Sequence, residues 1–421
     1  MKLLRKRNLL CLCLFFAFLC GKLQTFCGVK AAGLPNSRAL EQAEEVVPGG
    51  LYSYASCLMD AENDRVLFER HGSEQLAMAS TTKIMTLIVI LEHASMDDIV
   101  TISKNAAAQP DVQLNIREGE KYRLGDLVYS LMLESHNDVA VALAEHVGGS
   151  VEEFALLMNA KAATMGLTDT HFVTPNGLDA EGHYTTAIEL SKIASYAIKN
   201  PDFLKITNTA NYQFSELTTG RSFTVTNKNR FLYLMDGAIG VKTGFTGKAG
   251  YCFVGALKKG DHTLIATMLA CGWPPNKTYK WSDTKKLMEY GLTHFKKIPF
   301  AECATLSING KKEDILKFDP QKMQIVLPVT GGIAESVKAA VDELTLAPLL
   351  LAEWEEPKIE VVYEKELIAP VAAGQVVGSV TCTIDEKEYA SCFIRTKEAV
   401  PEIDFWYCLY RVIGKWKSGD L

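Results

Sequence analysis

Met78-Ala79-Ser80-Thr81-Thr82-Lys83-Ile84-Met85-Thr86 places a serine and a lysine three residues apart, at the head of the apolar run Ile84 to His93. On a helix that spacing puts both side chains on one face, one turn apart. A lone S-x-x-K carries little information. Here Ser135-His136-Asn137 follows 55 residues after Ser80, and Lys242-Thr243-Gly244 follows 107 residues after Ser135. Two decoys exist, Ser282-Asp283-Thr284-Lys285 and Ser307-Ile308-Asn309, and neither falls in that order.

The three elements divide a chemical task. A serine hydroxyl is a weak nucleophile and needs a base within hydrogen-bond reach. No G-x-S-x-G is present, and no histidine is placed as an obvious partner. Lys83 serves as the base if burial and a nearby cation lower its pKa. Lys242 is a candidate for that cation, or for holding an anionic group of a substrate. A serine at a helix start also has backbone N–H groups turned toward it, suited to an oxyanion.

Around these motifs the period of the apolar residues changes. Tyr52 to Met59 and Arg65 to Phe68 read as a hairpin about the turn at 60–64. Leu124 to Leu133 and Val139 to Val147 read as helices, with 134–138 as their connector. Residues 168–183 are loop-like, and Thr185 to Ile198 is again an amphipathic helix. Ala238 to Thr243, Gly250 to Leu257 and Thr263 to Cys271 read as three strands, with Lys242-Thr243-Gly244 at the end of the first and a tight turn at 258–261. Thr278 to Phe295 reads as a helix, with Ser282 in it or capping it. Beyond residue 300 the pattern is short strands and turns: Ala304 to Ile308, Met323 to Leu327, Leu344 to Ala352, Ile359 to Tyr363, Val376 to Ile384 and Tyr389 to Ile394.

The termini read differently. Lys2, Arg5, Lys6 and Arg7 precede a short apolar stretch, Leu9 to Cys20, and Val29-Lys30-Ala31 offers small residues for cleavage, so residues 1–31 read as a secretory signal peptide. Glu402 to Lys417 combines aromatics with Arg411, Lys415 and Lys417 at helical spacing. It reads as an amphipathic helix for a membrane interface, the alternative being a terminal helix packed on the β-rich region.

With 421 residues and 48% hydrophobic residues, two or three domains with real cores are expected. Losing residues 1–31 removes six positive charges and no negative ones, taking the net charge from −6 to −12. An acidic mature chain argues against nucleic acid as a partner. The seven cysteines outside the signal region are scattered and lack C-x-x-C spacing, so no zinc site or disulfide framework is indicated; a cross-hairpin pair such as Cys382–Cys392 stays open.

Taken together, the chain resembles the low-molecular-mass penicillin-binding proteins, D-alanyl-D-alanine carboxypeptidases of the serine type. The resemblance extends to Thr174-Pro175-Asn176-Gly177-Leu178, His183-Tyr184-Thr185-Thr186-Ala187, Asn227-Lys228-Asn229 and Gly240-Val241-Lys242-Thr243-Gly244-Phe245-Thr246, and covers nearly the whole mature chain. It implies an α/β (α+β) fold: a transpeptidase domain at 36–298 with an antiparallel sheet flanked by helices, an all-β domain at 300–396, and a membrane-associating helix at 402–417. It implies that Ser80 forms an acyl-enzyme, Lys83 takes its proton, and Ser135 relays a proton to the leaving amine. Asn137 would hold the substrate amide. Lys242, Thr243 and Gly244 would bind the terminal carboxylate, and the N–H groups of Ser80 and Phe245 would form the oxyanion hole. The partners implied are stem peptides of peptidoglycan ending in D-Ala-D-Ala, β-lactams as covalent inhibitors, and a membrane surface on the outer face of a bacterial cell. No cofactor and no metal are implied. His136 and Phe245 depart from what relatives often carry, and both are candidates to shape the pocket. Two other readings are a class A β-lactamase-like hydrolase and a non-catalytic penicillin-binding wall protein. The first needs E-x-x-L-N between Asn137 and Lys242, and that pattern is missing.

Overall fold

The computed structural model describes residues 48–299, 305–308, 318–319, 324–341 and 348–418. The signal segment, the 36–47 part of the expected catalytic region, Ala304 and the start of the expected 344–352 strand lie outside these residues. The first domain is built on a five-stranded antiparallel sheet. Its strands are β1 (Ala55–Asp60), β2 (Arg65–Arg70), β3 (Ala238–Thr246), β4 (Gly250–Lys259) and β5 (His262–Leu269), in the order β2-β1-β5-β4-β3. The ends of the chain segment meet at the centre, because β1 pairs with both β2 and β5. All six residues of β1 are buried, as expected of a strand covered on both faces.

Period-two alternation divides the two faces between two cores. Cys57 and Met59 of β1 join Ile265 and Leu269 under the helical layer, while Leu58 joins Leu264, Ala266 and Met268 on the opposite face. The helical layer comprises α1 (Lys83–His93), α2 (Leu124–Leu133), α3 (Asn137–Gly148), α4 (Val151–Thr164), α5 (Ala187–Ala197) and α6 (Pro201–Asn208). The opposite face carries α7 (Tyr279–His294), through Leu287 and Met288. Ser150, Thr186 and Asn200 cap α4, α5 and α6 with side-chain oxygens, which sets where each helix begins. Residues 83–90 of α1 are all buried, so this helix is the hub of the layer. Each fully buried Leu or Ile here contributes about 2 kcal/mol relative to exposure.

The second region is a sheet of β7 (Gln324–Thr330), β8 (Ser336–Val341), β10 (Pro357–Tyr363), β11 (Val376–Ile384) and β12 (Lys387–Thr396), extended by short strands at Thr305–Ile308, Phe318–Asp319 and Leu367–Ile368. Ile325, Leu327 and Val329 face inward from β7, and Ile359, Val361 and Tyr363 from β10. Two strands outside this sheet, β6 (Phe295–Ile298) and β9 (Leu349–Ala352), pair antiparallel and join it to the first domain. Arg65 reinforces the joint, donating to the Leu350 carbonyl and the Glu355 carboxylate. Cys382 and Cys392 lie on adjacent strands, two residues out of register. The tail forms α8 (Phe405–Ser418), capped by Asp404, whose carboxylate accepts from the Tyr407 N–H at 2.7 Å. Its residues are almost all exposed, so it is not the packed terminal helix of the alternative reading. No helix among the described residues is long and apolar enough to cross a membrane.

Candidate active site

Ser80 sits in a single 3-10 turn, Ala79–Thr82, that runs directly into α1. Ala79 holds a left-handed φ of +48°, which costs a non-glycine residue about 1 kcal/mol. Its carbonyl is held by the Thr82 hydroxyl at 2.8 Å. His183 holds Thr82 in turn. Its Nδ1 accepts from the Val173 N–H at 3.0 Å, so its Nε2 carries the proton and donates to Thr82 Oγ1 at 2.9 Å. Burial lowers the His183 pKa to about 4, so this neutral tautomer is the working form at neutral pH. Gly177, at φ +82°, presses on the same carbonyl: a Cβ there would stand 2.1 Å from the Ala79 oxygen. From the other side β3 closes in, and a Cβ on Gly244 would stand 3.0 Å from the Ser80 nitrogen.

Lys83 lies fully buried behind Ser80. Its Nζ donates to Ser80 Oγ at 3.0 Å, to Asn137 Oδ1 at 2.9 Å and to the Asn176 carbonyl at 2.5 Å, using all three of its donors. Ser80 Oγ donates to the Asn176 carbonyl at 3.4 Å. Burial pushes the Lys83 pKa well below the usual lysine range, the nearby Lys242 charge pushes the same way, and Asp138 opposes both. A lysine so placed gives up its proton more readily than a solvated one.

The connector between α2 and α3 brings in the second element. Ser135 adopts φ +73°, a left-handed conformation that costs energy for serine, and its buried hydroxyl has no hydrogen-bond partner among the described residues. Asn137 opens α3 and is engaged at both ends: Oδ1 takes Lys83, while Nδ2 donates to the carbonyls of Pro110 and Asp111. To hold a substrate amide it must exchange one of these. Asp138 accepts from the Leu114 and Ile116 N–H groups at 3.0 and 3.3 Å and so shapes the loop that brings Val112 to the cleft. His136 points elsewhere. Its ring bonds Ser130 Oγ at 2.7 Å and faces Glu134 at 3.5 Å, and burial lowers its pKa, so it is neutral.

The third element lies within β3 rather than at its end. The strand continues to Thr246 because Phe245 and Thr246 still pair with Tyr251 and Gly250 across the 247–249 turn. Lys242 is buried, donates to the Thr243 carbonyl at 3.1 Å, and is brought down to about 7 by burial. Ser80, Ser135, Thr243, Gly244 and Phe245 line one cavity of about 400 Å³, whose far wall is Tyr251, Lys277, Lys280 and Trp281. Lys83, Asn137 and Lys242 are buried and do not line it; Lys83 reaches it through Ser80 Oγ. The decoy Ser282 falls inside α7, after its Thr278 cap.

Three participants escaped the motif reading: the Asn176 carbonyl, the His183–Thr82 pair and Lys280. The first two stand in segments with a visible sequence signal, Thr174-Pro175-Asn176-Gly177 and His183-Tyr184-Thr185-Thr186. Lys280 has none. Among the described residues no group of three His, Cys, Asp or Glu side chains is placed to hold a metal.

Comparison with known proteins gives a consistent result. A family model described as D-alanyl-D-alanine carboxypeptidase matches residues 42–271, and one described as penicillin-binding protein 5, C-terminal domain, matches residues 321–402. The D-alanyl-D-alanine carboxypeptidase DacF of Bacillus subtilis is 28% identical over 371 residues, covering 86% of this chain and 89% of its own. The D-alanyl-D-alanine carboxypeptidase of Streptomyces sp. K15 is 36% identical over 242 residues, 54% of this chain and 82% of its own. Among solved structures, penicillin binding protein 5 from Haemophilus influenzae superposes with a TM-score of 0.68 at 26% identity, over 85% of this chain and 99% of that one.

Proposed function

The chain belongs to the D-alanyl-D-alanine carboxypeptidase family, and from that premise we propose that it removes the terminal D-alanine from peptidoglycan stem peptides through an acyl-enzyme on Ser80. Ser80 Oγ attacks the carbonyl of the penultimate D-Ala while its proton passes to Lys83 Nζ. The N–H groups of Ser80 and Phe245 hold the oxyanion. Ser135 relays a proton to the leaving nitrogen, the C–N bond breaks, and the terminal D-Ala departs. Water then hydrolyses the Ser80 ester. Asn137 orients Lys83 and the substrate amide. Thr243 and Gly244, which line the cleft, take the terminal carboxylate, with Lys242 supplying positive charge from behind Thr243. β-Lactams acylate the same serine.

The observation that carries this reading is the fully buried Lys83, 3.0 Å from Ser80 Oγ, with burial and the Lys242 charge both driving it toward the neutral base. The domain division follows: residues 36–298 carry the chemistry, residues 300–396 support it, and α8 lies in a membrane interface on the outer face of the cell after export. Phe405, Trp406, Tyr410 and Trp416 are all more than 60% exposed on that helix and bring Lys415 and Lys417 with them, which suits a headgroup boundary.

The test is D-Ala release from a peptide ending in D-Ala-D-Ala, with labelled penicillin in parallel. Release together with a stable adduct on Ser80 is expected, and Ser80→Ala should lose both while keeping its fold. Neither release nor adduct would sink the proposal. Rapid turnover of penicillin would point to a β-lactamase, and an adduct without peptidase activity to a binding protein.

A further inference from the structure

We infer that His183 is a positioning residue of the reaction: through the Thr82 hydroxyl it fixes the Ala79–Ser80 peptide, whose N–H is one of the oxyanion donors. This rests on the acyl-enzyme reading of Ser80. The Ala79 carbonyl and the Ser80 N–H belong to one planar trans unit and point in opposite directions. Whatever holds the carbonyl therefore aims the N–H. Ala79 has a left-handed φ of +48°, a conformation that persists only where its surroundings over-determine it. The Thr82 hydroxyl supplies the polar part of that hold, donating to the Ala79 carbonyl at 2.8 Å, while Gly177 closes on the same oxygen.

A threonine hydroxyl has one hydrogen and is free to turn it elsewhere. His183 removes that freedom. Its Nδ1 accepts from the Val173 N–H at 3.0 Å and stands 3.4 Å from the Thr174 N–H, so it bears no proton. The proton is on Nε2, which donates to Thr82 Oγ1 at 2.9 Å. Thr82 Oγ1 is thus an acceptor on the histidine side, and its own hydrogen is committed to Ala79. The relay has one direction: backbone N–H to imidazole, imidazole to hydroxyl, hydroxyl to carbonyl. Members of such a chain polarise one another in a dry interior. His183, Thr82 and Ala79 are all buried, and Phe172 packs edge-on against the imidazole at 6.0 Å.

The imidazole also anchors the loop that orients the base. Val173 and Thr174 lead into Pro175, whose carbonyl accepts from Thr86 Oγ1 at 2.7 Å, and into Asn176, whose carbonyl accepts from Lys83. One ring therefore ties the start of this loop to the turn that carries the nucleophile. Neither His183 nor Thr82 lines the cavity that holds Ser80. Neither touches a peptide seated there, so their effect on the reaction runs through the peptide unit they hold.

The test compares Thr82→Val, Thr82→Ser, His183→Leu and the Val/Leu double variant in the full mature chain, below every melting transition. Thr82→Val and His183→Leu should each lower kcat for D-Ala release about tenfold to a hundredfold, a misaimed oxyanion donor costing less than a missing one, with KM changed by about twofold at most. A peptide boronic acid reads the donor directly. Ser80 Oγ bonds to boron, its proton passes to Lys83, and an oxygen of the tetrahedral boronate takes the place of the oxyanion. Its affinity should fall by the same factor as kcat. Thr82→Ser keeps the hydroxyl and should stay within about threefold of wild type. The double variant should be at most about twofold slower than Thr82→Val, because the imidazole acts through the hydroxyl. His183→Asn keeps an acceptor for the Val173 N–H but is too short to reach Thr82; it should show the same loss, and it replaces His183→Leu if that variant does not fold. Unchanged kcat and boronate affinity, a loss in KM alone, a Thr82→Ser as slow as Thr82→Val, or losses that multiply in the double variant each overturns the inference and leaves the carboxypeptidase reading intact. No D-Ala release by wild type overturns that reading and takes this inference with it.

Discussion

The five-stranded sheet and the C-terminal sheet are both built mainly of antiparallel strands in period-two alternation, but they bury different side chains. Around the first, Lys83, Lys242, Lys280, Asn137 and Asp138 are all buried. In the second, Thr396 is the buried polar residue among those described, and the core is Val, Ile, Leu and Ala with Tyr363 and two cysteines. Burying a charge costs several kcal/mol unless it is paired and hydrogen-bonded. The first domain accepts that cost where the chemistry lies, and the second does not incur it.

The sharpest way to break this contrast is to remove the buried charge. Lys83→Met should lower the acylation rate at least a thousandfold in stopped-flow with labelled penicillin. The same variant should melt at an equal or higher temperature, because an apolar side chain of similar volume replaces a desolvated amine. A clear fall in melting temperature would mean that Lys83 is structural.

Next in size is Gly177→Ala. Its left-handed φ alone costs about 1–2 kcal/mol, and the Cβ clash with Ala79 must displace the Ser80 turn. Activity should fall by two orders of magnitude or more, the same assay reading it, with a smaller loss of stability.

The converse experiment is Ile394→Ala in the C-terminal core, where Ile394 is fully buried. It should cost that sheet about 2–5 kcal/mol in denaturant unfolding. D-Ala release measured below the transition should stay within twofold of wild type. A large catalytic defect would show that the β6–β9 joint couples the two regions.

The smallest effect concerns pH. Burial takes Lys242 down to about 7, while an unfolded lysine stays near its ordinary value of 10.5. Between those values the unfolded chain binds more protons, so stability rises with pH through that window. The folded state carries the full cost below pH 7 and sheds it as pH climbs. The melting-temperature gain of Lys242→Met over wild type should therefore be largest near pH 6 and shrink toward pH 9.5. A gain independent of pH would contradict burial as the cause.

Much of this was legible in the chain. Ser80 and Lys83 come together because of their spacing, and the connector expected at 134–138 does fall between two apolar helical runs, although it is shorter than expected because Asn137 and Asp138 already belong to α3. The three strands from 238 to 269 declare themselves by alternation. The aromatic tail shows a helical period, and α8 forms there with its aromatic residues largely exposed. Lys242-Thr243-Gly244 was expected at the end of a strand, but an edge strand persists as long as its neighbour offers partners, and Phe245 and Thr246 find theirs beyond the turn. The Asn176 carbonyl was not legible, since any residue supplies a carbonyl. Lys280 was not legible either, because nothing in a single lysine announces that Tyr251 and Trp281 will enclose it.

By itself the sequence determined the order of the chemical groups and the elements that carry them, since periodicity, caps and turns act over a few residues. Only the tertiary structure decided how those groups behave. Lys83 is pushed toward a base because α3, β3 and the 174–178 loop exclude water from it and set Lys242 nearby. Desolvation and charge proximity depend on residues tens to hundreds of positions away, so four residues in a row identify Ser80 and Lys83 as a pair, and the packing around them sets their reactivity.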